Sequence, residues 1–206
     1  MNHNLFDTFA ARMRERGNAP FITTREGRYY SYQDALNESA QLAGALTSLG
    51  VNVGDRVAVQ VDKSPEAILL YLACLRIGGV YLPLNTGYTG DEIRYFLKDA
   101  EPALFVCRPS DIDTARSIAR DTGCPAVETL GTDADGSLME KAQQSDPRDD
   151  IVTLGERDLA AILYTSGTTG RSKGAMLTHR NLSSNAETLV SSWHFSADDR
   201  LIHALP

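Results

Sequence analysis

The stretch from Gly54 to Asn85 limits what this chain can fold into more than any other. In GDRVAVQVDKS, Val57, Val59 and Val61 fall at every second position, the period of a strand. Ser64 followed by Pro65 then reads as a helix start, a hydroxyl cap with proline at the first helical position. The helix behind it, EAILLYLACLRIG, is apolar nearly all round, which suits burial in a layered α/β core. VYLPLN follows as a second strand. Strand, buried helix, strand is a βαβ unit, and such units build a largely parallel sheet.

The same alternation continues on both sides. MNHNLFDTFAARM lacks the continuous apolar stretch of a signal peptide, and Leu5, Phe6, Phe9 and Met13 recur at helical spacing. GRYYSY suggests a short strand into a helix capped by Ser31, with Asp34 at the capping-box position. Ala35, Ser39, Leu42, Leu46 and Leu49 mark one face of that helix, which ends at Gly50. Thr89 and Glu92 form a second capping box for a helix through about Lys98. ALFVC is a third strand, DIDTARSIARDTG a helix and PAVETL a fourth strand. The fold class expected is α/β, with layered βαβ units and a mainly parallel sheet.

From Gly131 to Asp158 the texture turns polar and acidic. We expect a surface connection over 131–158 with one short helix near Leu138–Gln143. GTDADG lacks the DxDxDG order of an EF-hand loop. Beyond it, GAMLTH reads as a strand, and Thr178 as the cap of a helix from His179 to about Trp193. DDRLIHALP heads into a further strand. Trp193 and Phe195 are expected in the core, and Asp198 and Asp199 in a solvated turn. His3 and His194 have no partner at metal-ligand spacing.

A net charge of −7 argues against nucleic acid as a partner, since such binders need a basic face. Three widely spaced cysteines, Cys74, Cys107 and Cys124, form no CxxC pair, so neither a disulfide frame nor a zinc site is expected. Each reads as a small buried apolar residue. The longest apolar run, Ala67 to Leu75, is far short of the roughly 18 residues that span a bilayer. The expected location is the cytoplasm.

Between the strand-like AAILY and GAMLT lies TSGTTGRSKG, residues 165–174. Its glycines permit close backbone approach to a ligand, and successive N–H groups can converge on an anion. Thr165, Ser166, Thr168, Thr169 and Ser172 add hydroxyl donors, and Arg171 and Lys173 add charge. A di- or triphosphate suits this set; a flexible linker is the alternative. The GxxxxGK[ST] pattern fails here. Counting from Gly167, Ser172 stands where the second glycine belongs, and Gly174 follows Lys173. The flanks also read as strand and strand, so an ordinary P-loop NTPase fits poorly.

YTSGTTGRSKGAMLTHRNL resembles the signature phosphate loop of the adenylate-forming superfamily, which includes acyl-CoA synthetases and the adenylation domains of peptide synthetases. SYQDALNESAQLAGAL, the Gly54–Asn85 stretch and EPALFVC sit in that family's order. LNTGYTGDEIRYFLKDAEPALFVC and the terminal IHALP look most like malonyl-CoA synthetases.

The resemblance implies ATP-dependent activation of a carboxylic acid through an acyl-adenylate, then transfer to CoA, with malonate favoured. Residues Thr165, Ser166, Gly167, Thr168, Thr169, Gly170, Arg171, Ser172 and Lys173 would surround the β- and γ-phosphates. Gly167, Gly170 and Gly174 would give the loop its freedom. His203 is either the start of an acid pocket or an ordinary strand histidine. Magnesium is expected beside ATP, with its ligand, the ribose-binding Asp and the adenylating Lys downstream of Pro206. On this reading residues 1–206 form an incomplete N-terminal AMP-binding domain without the C-terminal domain, inactive alone. The alternatives are an adenylation domain that loads a carrier protein and a noncatalytic nucleotide-binding module.

Overall fold

The computed structural model describes residues 2–165 and 172–203. The expected βαβ units are present. Strands β3 (Arg56–Gln60), β4 (Val80–Pro83), β5 (Leu104–Cys107) and β6 (Val127–Thr129) are mutually parallel. They join β7 (Leu159–Thr165) and β8 (Lys173–Thr178) in a six-stranded sheet of order β6-β5-β3-β4-β7-β8. Only the β7–β8 pair is antiparallel. A separate two-stranded antiparallel ribbon, β1 (Pro20–Thr23) and β2 (Tyr29–Ser31), precedes the sheet.

Side chains alternate across a strand, so each strand feeds both faces of the sheet. Val57, Val59, Leu104 and Val106 point into one apolar layer. It is shared with helices α1 (Leu5–Arg16), α2 (Tyr32–Ser48) and α3 (Pro65–Arg76). Ala58, Phe105 and Cys107 point into the other, beneath α4 (Gly90–Ala100) and α5 (Ile112–Thr122). Both faces are covered, which is why β5 is buried along its whole length. Helix α3 has a wide apolar surface because it lies between α2 and the sheet. Each fully buried leucine there, such as Leu69 or Leu70, contributes about 1.5–3 kcal/mol.

The helix starts follow the local signals. Ser31 Oγ accepts from Asp34 N–H at 3.0 Å, while the Asp34 carboxylate accepts from Ser31 N–H at 2.8 Å. Donation from the Ser31 N–H, and then from the Ser31 hydroxyl, holds the Asp34 carboxyl below its usual range. Thr89 and Glu92 make the same reciprocal pair, and Ser64 caps α3 with Pro65 at its first position. Helix α4 runs past the expected Lys98 to Ala100, where Glu101 closes it in the left-handed region at φ 46°.

Residues 131–158 form a strap with a polar outside and an anchored underside. Helix α6 (Ser137–Gln144) buries Leu138 and Ala142. The buried Arg76 guanidinium donates to Leu36 O, Arg148 O and Asp149 O, and lies over the Phe6 ring at 4.6 Å. Gly44 on α2 faces the strap so closely that a Cβ there would lie 2.1 Å from Asp146 O. The chain's start is tied to the same region. His3 N–H donates to Leu154 O, and Asn4 Nδ2 donates to Leu75 O and Val152 O.

The C-terminal part differs from expectation. Helix α7 (His179–Trp193) begins at the Thr178 cap as read, but of its residues only His179 is buried. Trp193 is 66% exposed and Phe195 42% exposed, so neither is core. His194 adopts φ 57° and ends the helix, and the two rings pack on each other at 5.8 Å instead of under a neighbouring element. Residues 200–203 form no strand. Cys74 and Cys107 are fully buried, whereas Cys124 is only half-buried.

Candidate phosphate-binding hairpin

The edge hairpin of the sheet carries the glycine-rich connection. β7 enters the sheet beside β4 in parallel, through the pairing of Tyr81 with Ala161. It then pairs antiparallel with β8 from Leu159 to Thr165, with a register shift between Leu159 and Ala161. The shift turns Ile162 and Tyr164 toward the α4–α5 layer, where both pack. Thr165 and Lys173 are the last register pair of the ladder. A hydroxyl and an ammonium therefore stand side by side at the mouth of the connection, both exposed.

Of the candidate residues, Thr165, Ser172 and Lys173 are placed. Ser166, Gly167, Thr168, Thr169, Gly170 and Arg171 lie outside the described residues. Gly174 takes a place in the ladder. It is a strand residue opposite Tyr164, and a Cβ there would meet Ile162 Cγ2 at 2.9 Å. Its lack of a side chain lets β8 lie close to β7. His203 has an exposed imidazole, and its carbonyl accepts from Lys63 Nζ at 2.7 Å.

Two tyrosines that residue pattern did not single out bind both ends of the connection to α4. Tyr95 Oη donates to Ser172 O at 2.8 Å. Tyr164 Oη donates to the Asp99 carboxylate at 2.5 Å. Their rings and Phe96 form one aromatic cluster, with Phe96 and Tyr164 at 4.4 Å and Tyr95 and Tyr164 at 6.3 Å. Burial raises the Tyr164 pKa, and the Asp99 hydrogen bond raises it further, so the phenol stays a donor. Spacing on α4 gave a faint signal: Tyr95 and Asp99 are one turn apart and share a face.

Elsewhere, a cleft of about 180 Å³ opens between α4 and α5 at the carboxyl ends of β3 and β5. Arg108 lines it, ion-paired with Asp111 at 2.7 Å and with Asp62 at 3.7 Å. Its charge is thus already balanced. None of the described hairpin residues lines this cleft.

A doubly covered, mainly parallel sheet with this hairpin at its edge matches the N-terminal domain of adenylate-forming enzymes. The chain belongs to the AMP-binding enzyme family, whose pattern matches residues 9–206. Among solved structures it is similar to apo MatB from Rhodopseudomonas palustris, at 50% identity and a TM-score of 0.94 over 100% of this chain and 40% of that one. The ATP-bound form of MatB gives 51% identity and a TM-score of 0.91, covering 100% and 41%. Curated relatives include tyrocidine synthase 1 of Brevibacillus parabrevis, 30% identical over 97% of this chain and 17% of that protein. Another is an indoleacetate–CoA ligase of Aromatoleum aromaticum, 34% identical over 87% and 36%. The chain thus spans well under half the length of each of these proteins. Among the described residues, no helix is long and apolar enough to cross a membrane.

Proposed function

We propose that the whole protein is an ATP-dependent acid–CoA ligase acting through an acyl-adenylate, with malonate as its acid. The carrying observation is the Thr165–Lys173 pair at the mouth of the glycine-rich connection. It supports a site for the β- and γ-phosphates of ATP. MatB, seen with ATP bound, is a similar structure at 51% identity, and the resemblance to malonyl-CoA synthetases supports the choice of acid.

In the proposed reaction a carboxylate oxygen attacks the α-phosphorus and pyrophosphate leaves. The thiol sulfur of CoA then attacks the acyl carbonyl carbon and AMP leaves. The carboxylate is already a nucleophile, so no serine–histidine relay is needed. The task left to this chain is to stabilise the departing pyrophosphate with preorganised donors and charge. Lys173 supplies the ammonium. The hydroxyls of Thr165, Ser166, Thr168, Thr169 and Ser172, the Arg171 guanidinium and the backbone N–H groups at Gly167 and Gly170 supply the rest.

Magnesium would balance further phosphate charge. Among the described residues no three His, Cys, Asp or Glu side chains gather to hold it, and no step here runs through it. Malonate's second carboxylate needs a cation in its pocket, because an unpaired buried charge is costly.

The test is acid-dependent ATP–pyrophosphate exchange by the full-length natural protein with malonate, methylmalonate, acetate and benzoate. Exchange with malonate is expected, and Lys173→Ala should lower it on the order of 10²-fold. Preference for another acid would discard malonate; no exchange with any acid would discard the ligase. The peptide synthetases among the relatives favour a second reading, in which the acyl group passes to a carrier protein. Comparing CoA with a phosphopantetheinyl carrier as acceptor separates the two.

A further inference from the structure

Tyr95 comes from a helix outside the glycine-rich stretch, yet it reaches that stretch at one defined atom. Its hydroxyl donates to the Ser172 carbonyl at 2.8 Å across 77 positions of sequence. That carbonyl belongs to the peptide bond joining Ser172 to Lys173. Ser172 lies just before β8, at the end of the described ladder, and its carbonyl takes the Tyr95 hydroxyl. Lys173 is exposed, and its direction depends on the peptide plane that leads into it.

Tyr95 is itself immobilised. It is half-buried on α4, edge-on to Phe96 at 5.6 Å and to Tyr164 at 6.3 Å. Tyr164, on the other strand of the hairpin, is bonded to Asp99 one turn along the same helix. Both strands of the hairpin are thus referenced to one rigid element at the point where the ladder ends.

From this geometry we propose that Tyr95 is a positioning residue for the reaction: it fixes the Ser172–Lys173 peptide and so aims the Lys173 ammonium at the phosphates of ATP. The proposal rests on the phosphate role assigned above to Lys173. As a positioning residue, Tyr95 touches neither substrate nor reacting atoms. It acts on affinity for the polyphosphate, not on the acid or the thiol.

The test uses the full-length natural protein as four forms: wild type, Tyr95→Phe, Lys173→Met and the double variant. The equilibrium dissociation constant for MgATP is measured for each by calorimetric titration. Phenylalanine keeps the ring contacts and removes only the donor, and thermal unfolding of each form verifies that it is folded. Tyr95→Phe should weaken MgATP binding about 3–10-fold, the scale of one hydrogen bond. In the Lys173→Met background the same change should have no effect, because its target is gone. Equal weakening in both backgrounds would show that Tyr95 supports the fold generally, and would overturn the proposal. No weakening in either background, with Lys173→Met alone weakened, would overturn it too. If Lys173→Met binds MgATP like wild type, the phosphate role of Lys173 fails first and the positioning role falls with it.

Discussion

His179 joins two distant ends of the chain through one imidazole. It is fully buried, and its Nδ1 accepts the Leu5 N–H at 3.0 Å, satisfying a first-turn donor of α1 that the helix cannot satisfy itself. With Nδ1 as acceptor, the neutral ring carries its proton on Nε2. Protonating Nδ1 would turn the acceptor into a donor facing an N–H. Burial lowers the His179 pKa, with the nearby Asp158 carboxylate opposing. A lowered folded-state value means the unfolded chain binds the proton more readily. The stability from neutral His179 is therefore present above the ordinary histidine value of about 6.5 and is lost as pH falls through the folded value. Thermal unfolding between pH 7.5 and 5 should show this decline. His179→Ala should flatten that part of the profile and cost about 1–3 kcal/mol at pH 7.5, the penalty of a buried N–H without an acceptor. The sequence offers His179 as the first residue of a helix or as part of a local positive field beside Arg180; Leu5 is 174 positions away.

At the scale of elements, what could be read in advance was what depends on neighbours within four residues. The Ser31–Asp34 and Thr89–Glu92 capping boxes and the Ser64–Pro65 start are local chemistry, and all three stand as read. Strand alternation likewise located β3, and short apolar runs located β4 and β5. Burial that depends on a distant partner is not legible locally: nothing near Trp193 and Phe195 marks them as exposed, and nothing near Tyr95 marks Ser172 as its partner. Two substitutions test element boundaries. Glu101 closes α4 at φ 46°, a region that favours glycine, while Arg56 holds its carbonyl at 2.8 Å. Glu101→Gly keeps that backbone bond and should stabilise the protein by about 1 kcal/mol in urea unfolding. Gly44→Ala should destabilise by about 1–3 kcal/mol, because its methyl group meets the backbone at Asp146 and the strap must move.

Across the whole molecule, protection is unevenly distributed. The sheet and helices α2 and α3 are buried on several sides, whereas α7 buries only its first residue. Hydrogen exchange of the 206-residue chain should therefore be slow in β3, β5 and α3 and fast along α7. Its single tryptophan, Trp193, should be quenched readily by acrylamide. Slow exchange throughout α7 would contradict this gradient. The bonds that seat the first helix also impose an order of events on a growing chain. His3, Asn4 and Leu5 meet partners at Leu154, Val152 and His179. At translation rates of about 5–20 residues per second, the first helix waits on the order of ten to thirty seconds for its last partner. Until then the Leu5 N–H must be satisfied by water. A ribosome that pauses before position 179 leaves α1 against α2 and α3 with its Leu5 N–H still lacking the His179 acceptor.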